Sequence, residues 1–229
     1  MPEPTRQLVI EAAKKYGLVA CVSGRRASEA RAIVSLGTIT YLGSHGAEIL
    51  RPGWPEPALD PQVAAWAAQM EAFSREVDLA DMRRQRIRLE DKGPILAFHW
   101  RGAPEEAAAH AAIDAIATKA QEAGLRTHWG RKVLEVRPPV KFDKGSGITS
   151  LITDAGVDAA MYVGDDRTDV DAFRALTQLV DAGTIPHALR VGVRSEEGPT
   201  EIADETDFQV DGPDGVRHLL QMLVTDALH

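Results

Sequence analysis

The sequence predicts an α/β fold: a doubly wound core interrupted by a smaller α+β insert. Three observations carry that expectation. Short continuous apolar runs, LVACV (18–22), TITYLG (38–43) and AAMYVG (159–164), alternate with helical patterns towards both ends of the chain, as expected of strands buried on both faces of a parallel sheet. Strand-like runs of alternating pattern occupy the middle instead. Two proline-rich stretches, RPGWPEPALDP (51–61) and RPPVKFDKG (137–145), bracket that middle.

Each element follows from its local pattern. PEPTRQLVIEAAKKYG places Leu8, Val9, Ala12 and Ala13 on one helical face, and Gly17 stops the helix before the strand 18–22. SGRRASEARAIVSLG predicts the next helix, and 38–43 the next strand. In the insert, helices are expected over Gln62–Val77 and Pro104–Ala123. Half-solvated strands are expected at 86–91, 95–100, 125–129 and 132–136, forming an open antiparallel sheet with helices on one face. The core then resumes with helix SGITSLITDAG, strand 159–164, helix TDVDAFRALTQLV, candidate strands 188–193 and 207–210, and a closing helix DGVRHLLQMLVTDAL. The expected domains are 1–51 with 140–229 as core and 52–139 as insert, with Pro52–Pro57 and Pro138–Pro139 as hinges.

Composition narrows the function. The 229 residues carry Lys+Arg 26 against Asp+Glu 34, and a net charge of −8 argues against nucleic acid as the main partner. The single cysteine, Cys21, gives no disulfide framework and reads as strand packing. No apolar run reaches the roughly 18 residues of a membrane span, and the first residues lack a secretory apolar core. The expectation is a cytoplasmic, monomeric protein without a membrane partner.

Three segments at predicted strand or helix ends carry chemistry. Ser23-Gly24-Arg25 after the first strand offers a hydroxyl and backbone N–H groups to an anion, though Ser-Gly is equally an ordinary helix cap. Asp165, Asp166, Asp169 and Asp171 put four carboxylates within seven residues. They suit Mg²⁺; an N-cap with favourable dipole charges explains Asp169 but not Asp165 and Asp166. Lys144 opens a helix against its dipole, which an anionic neighbour would explain; alone it reads as a solvated lysine. Together these groups are equipment for phosphoryl transfer. A receiver-type Mg²⁺ domain would fit the acidic cluster but leave the insert unexplained.

SGR (23–25), GSHGAE (43–48), EDK…HWR (90–101), GRKVLEVRP (130–138), DKG (143–145) and GDDRTDVDAF (164–173), in that order, resemble the trehalose-6-phosphate phosphatase family of the haloacid-dehalogenase superfamily. The resemblance spans essentially the whole chain and implies a Rossmann-like core with an inserted α+β cap. It further implies Mg²⁺-dependent hydrolysis of a small sugar phosphate, trehalose 6-phosphate, to trehalose and phosphate. Ser23 would hold a phosphate oxygen, with Arg25 beside it, and Lys144 would neutralise phosphate and nucleophile. Asp165 would ligate Mg²⁺, supported by Asp166 and Asp169, while Glu90, Lys92, Arg101 and Glu135 in the cap would read the sugar. The family's first motif, Asp-x-Asp-Gly-Thr at the end of the first strand, is absent; Asp169-Val-Asp171 has the spacing but belongs to the fourth motif. The preferred explanation is a chain that starts inside a longer protein, lacking the first core strand, its nucleophile and its acid/base. The alternatives are a non-catalytic sugar-phosphate-binding relative and a phosphatase for another sugar phosphate. His45 and His99 are open between cleft and local roles, and Trp54, Trp66, Trp100 and Trp129 are expected to pack the insert.

Overall fold

The computed structural model describes residues 1–77, 79–195 and 199–225. The chain divides into two units, Met1–Ala58 with Phe142–His229, and Leu59–Lys141. The β4 strand (Ala58–Leu59) lies where the first gives way to the second.

The first unit is layered α/β/α. Its helix α1 (Glu3–Lys15) leads into β1 (Ala20–Val22), and α2 (Ala27–Val34) into β2 (Thr40–Gly43). A 3-10 turn over Ser44–Gly46 then reverses the chain into β3 (Glu48–Leu50), which pairs antiparallel with β2, while β1 and β2 are parallel. Val9, Ala27, Ala30 and Val34 bury the apolar faces of α1 and α2 against Tyr41 and Leu50. After the second unit come α7 (Lys144–Ala155), β9 (Ala159–Gly164), α8 (Asp169–Asp181), β10 (His187–Arg194), α9 (Glu201–Asp204), β11 (Phe208–Asp211) and α10 (Gly212–Thr225). A second parallel sheet runs β11-β10-β9. The α10 helix is tied to α1, where Lys15 Nζ and the Tyr16 hydroxyl donate to the Leu223 carbonyl at 2.7 and 2.9 Å. Ile148 and Ile152 of α7 and Ala172, Leu176 and Leu179 of α8 cover the opposite face.

The sheet of this unit is split. Val22 of β1 packs on the same α7–α8 cluster as Ala160 and Tyr162 of β9, yet β1 and β9 share no ladder. The sequence predicts 18–22 as a strand buried on both faces. Ala20, Cys21 and Val22 are instead only half-buried, because β1 ends its sheet. Edge strands leave one side of the backbone without a ladder partner.

The second unit contains α3 (Pro61–Ala64), α4 (Ala67–Glu76), α5 (Leu79–Arg84), β5 (Arg88–Asp91), β6 (Leu96–His99), α6 (Glu106–Glu122), β7 (Arg126–Gly130) and β8 (Val133–Arg137). Its antiparallel sheet has the order β5-β6-β8-β7. Phe98, Leu134 and Val136 alternate onto one face and meet Ile113 and Ala117 of α6 and Phe73 of α4. The helix expected over 62–77 is broken: Asp60 caps α3 through the Gln62 and Val63 amides, and Trp66 leaves helical geometry (φ −101, ψ 0) to pack on this core. Of the tryptophans expected to pack the insert, Trp66 and Trp100 lie on this core and Trp129, though exposed, meets the Trp100 ring edge-on at 6.0 Å, while Trp54 belongs to the first unit.

Phe98 is fully enclosed. Phe98→Ala is expected to lower the unfolding free energy by about 3–5 kcal/mol in urea titrations.

Candidate active site

The segment after β9 is organised by one carboxylate. Asp169, at the first position of α8, is 3% exposed. Its Oδ2 accepts the Asp165 and Asp166 amides, each at 2.9 Å, and its Oδ1 accepts the Tyr162 hydroxyl at 2.6 Å and Lys144 Nζ at 2.7 Å. Four donors on two oxygens fill most of the capacity of a carboxylate. Gly164 allows this close fold, because a Cβ there would collide with the Asp169 carboxylate. Burial and the Asp169 charge push the Tyr162 phenol well above its ordinary value, so it stays a neutral donor. Tyr162 was not legible as a functional residue; the only signal was a polar-tipped aromatic in a buried strand, whose hydroxyl needs a partner.

Asp166 closes the turn. Its Oδ1 accepts the Thr168 amide at 2.6 Å, the Thr168 hydroxyl at 2.5 Å and the Asp169 amide at 3.2 Å, while Oδ2 lies 3.5 Å from Lys144 Nζ. Burial raises its pKa, but the Thr168 hydrogen bonds and the Lys144 charge outweigh that and hold it below the usual carboxylate range. Asp165 stands outside this network as an exposed carboxylate. Of the three aspartates expected together at a metal, Asp169 and Asp166 hold the loop, and the Asp165 carboxylate is exposed.

Lys144 is 5% exposed, not solvated. It opens α7, whose N-terminus is closed by a reciprocal pair, Asp143 accepting the Ser146 amide and the Asp143 amide donating to Ser146 Oγ. The flanking loops are joined one to the next. A Cβ on Gly46 would meet the Asp143 carbonyl, and one on Gly147 would lie 2.7 Å from Gly46 Cα. The 43–48 loop in turn grips the Ser23 loop, with the Ser44 amide donating to the Arg25 carbonyl at 2.7 Å and the His45 amide to the Ser23 carbonyl at 3.2 Å. His45 is therefore a clamp residue in left-handed geometry (φ 57). Ser23 Oγ accepts the Arg25 amide at 3.1 Å, which leaves its hydroxyl hydrogen for an anion, and the Arg25 side chain is exposed.

In the second unit, register puts Glu90, Ala97, Glu135 and His128 in one row across the sheet. Glu135 accepts Lys92 Nζ at 3.2 Å and is also gripped by Arg137. Glu90 lies 2.7 Å from His99 Nε2, so His99 has a local partner on this face. Arg101, exposed in the turn beyond β6, stands apart from these pairs. Arg137 was missed in the sequence because its reach to Glu135 lies along one face of β8, two residues away. Burial alone would raise Glu135, but the Arg137 hydrogen bond and charge, then Lys92, hold it below its ordinary value.

Two outcomes are expected. Asp169→Asn would turn an amide NH₂ towards existing donors and strand the buried Lys144, costing about 3–5 kcal/mol in denaturant titrations, whereas Asp165→Asn changes stability by less than about 0.5 kcal/mol. The depressed Glu135 stabilises the fold above its unfolded value of 4.5, and this contribution is lost as pH falls through the lower native value. Glu135→Gln should therefore lose less melting temperature than the parent between about pH 7 and about pH 3.

A profile of the trehalose-phosphatase family matches residues 2–210. Among curated proteins, the chain is 28% identical over 239 residues to a trehalose 6-phosphate phosphatase of Zea mays, covering 97% of this chain and 63% of that protein. The chain spans between 49% and 63% of the length of the first curated relatives it matches. Two solved structures share the fold. One is a trehalose-6-phosphate phosphatase related protein (TM-score 0.68, 23% identity, covering 98% of this chain and 87% of that one). The other is a haloacid dehalogenase-like hydrolase from Bacteroides thetaiotaomicron (TM-score 0.61, 13% identity, covering 97% and 92%). On the match over residues 2–210, the chain belongs to the trehalose-phosphatase family.

Proposed function

We propose that the protein acts as a Mg²⁺-dependent phosphatase that hydrolyses trehalose 6-phosphate to trehalose and phosphate. The observation that carries the reading is Lys144, buried 2.7 Å from Asp169 in the series of adjoining loops that includes Ser23, in a chain of this family. In this reading Ser23 donates its hydroxyl to a phosphate oxygen, with Arg25 beside it. Lys144, two of whose three donors point at Asp169 and Asp166, gives the third to the phosphoryl group. Glu90 and Glu135 accept from sugar hydroxyls while Lys92 and Arg101 donate. The same reading makes the protein cytoplasmic and monomeric, without nucleic-acid or membrane partners. Its support is a net charge of −8 and, among the described residues, no helix long and apolar enough to cross a membrane.

Mg²⁺ fits as an ion bound largely through substrate. No group of three His, Cys, Asp or Glu among the described residues is arranged to hold a metal. Mg²⁺ takes one or two carboxylates and completes its shell with water and phosphate oxygens, so Asp165 suffices as the protein ligand on this chain. Bound there, it would offset phosphoryl charge and orient the phosphate.

This reading takes the nucleophile from a further parallel strand that would pair with the edges of β1 and β9; its support is that these edges share no ladder. A carboxylate at the end of that strand would form the new O–P bond as the P–O bond to the sugar breaks, with a proton passing to the departing sugar oxygen. One observation favours a second reading, a sugar-phosphate-binding protein without turnover. Among the described residues after β9, Asp166 and Asp169 are engaged in the loop, and Asp165 is committed to metal in the first reading.

The test extends the polypeptide through the reading frame upstream of Met1 and measures phosphate release from trehalose 6-phosphate. Release that stops with EDTA and in Asp165→Ala is expected, with slower release from sucrose or mannosylglycerate phosphates. Release that survives EDTA sinks the Mg²⁺ assignment, and a stop codon directly upstream, with ligand binding but no turnover, establishes the second reading.

A further inference from the structure

Glu48 is a carboxylate with 1% of its side chain exposed, and neither phosphate nor sugar contact has been assigned to it. It begins β3, opposite Gly43 of β2. Its Oε2 accepts the Ala27 amide at 2.8 Å, and its Oε1 lies 3.6 Å from Arg26 Nε, a buried nitrogen with no hydrogen bond of its own. Ala27 is the first residue of α2, and the N-cap position is held by Arg26, whose side chain makes no capping bond. Glu48 therefore caps α2 from 21 residues away, taking one of the amides that a helix start leaves without an intrahelical acceptor.

The position of that cap matters, because α2 begins where the Ser23 loop ends. Three further restraints act on the same loop: the Ser23 amide to the Leu42 carbonyl (2.9 Å), the Ser44 amide to the Arg25 carbonyl (2.7 Å) and the His45 amide to the Ser23 carbonyl (3.2 Å). The two loops are close enough that a Cβ on Gly24 would sit 2.6 Å from Cε1 of the His45 side chain, and one on Gly43 would run into the Ala27 backbone. Of the bonds between the two loops named here, the Glu48 bond is made by a side chain, and it fixes the helix that carries the loop's far end. We propose that Glu48 is a positioning residue of the phosphate cradle, setting through the Ala27 amide where Ser23 and its neighbouring amides stand.

This rests on Ser23 as a phosphate ligand, and the experiment separates the two ideas. Inorganic phosphate is titrated calorimetrically, at fixed Mg²⁺, into the unsubstituted chain and into Ser23→Ala, Glu48→Gln, Glu48→Asp and Glu48→Ala, each also melted. Gln keeps the acceptor at the same reach without the charge; Asp keeps the charge one methylene short. A positioning role predicts phosphate affinity within about threefold of the parent for Glu48→Gln, and about tenfold weaker or worse for Glu48→Asp and Glu48→Ala. It also predicts that Glu48→Asp weakens binding less in the Ser23→Ala background than in the parent, because one of the displaced donors is already gone. A purely structural role would move melting temperature in all variants without that pattern. Parent-like affinity in Glu48→Asp, or loss in Glu48→Gln equal to that in Glu48→Ala, overturns the proposal. Absence of phosphate binding in the unsubstituted chain, or none lost in Ser23→Ala, overturns the reading beneath it.

Discussion

Asp169 takes donors from three elements at once: the Tyr162 hydroxyl from β9, the Lys144 ammonium from α7, and two amides of its own loop. Removing a charge of this kind from water is costly unless its partners replace the water, and here they do. The site depends on this arrangement in two ways. The amides fix the path of residues 165–168 and so expose Asp165, and the ammonium is held at the start of a helix whose dipole opposes it. A lysine there without an anion beneath it would be driven out to solvent, so Asp169 is the reason Lys144 is buried at all.

The first unit has the two helical layers of a doubly wound fold but an interrupted sheet between them. Val22, Ala160 and Tyr162 share one apolar cluster, so the layers hold together across a place where backbone pairing stops. Side-chain burial is non-directional and tolerates such a gap, whereas a ladder does not. The α7 and α8 helices bridge the two half-sheets, which is why the loops at 23–25, 43–48, 143–147 and 164–169 adjoin in series.

Much of this was legible in the residues. Continuous apolar runs marked β1, β2 and β9, and alternation marked the sheet of the second unit, because both patterns report burial directly. Ser23, Lys144 and the aspartates stood out by residue type and position. What escaped was whatever depends on a partner distant in sequence. An exposed aspartate and one that saturates itself on protein donors have the same letter, so Asp169 and Asp165 could not be told apart. The grip of Arg137 on Glu135 along β8, the diagonal from Glu90 to His99 and the break at Trp66 arise from strand geometry, register and packing. Three-residue β3, carrying Glu48, is too short for any periodicity to announce.

Left without the further strand proposed between them, the edges of β1 and β9 would have a colloidal consequence. A flat row of free amides and carbonyls beside half-buried apolar side chains is a template for any extended segment, including another copy of the same molecule. Charge repulsion between acidic copies opposes such association at long range and is screened by salt. Solubility of this polypeptide therefore becomes a property of ionic strength, with concentrated salt favouring edge-to-edge growth and dilute buffer holding the copies apart.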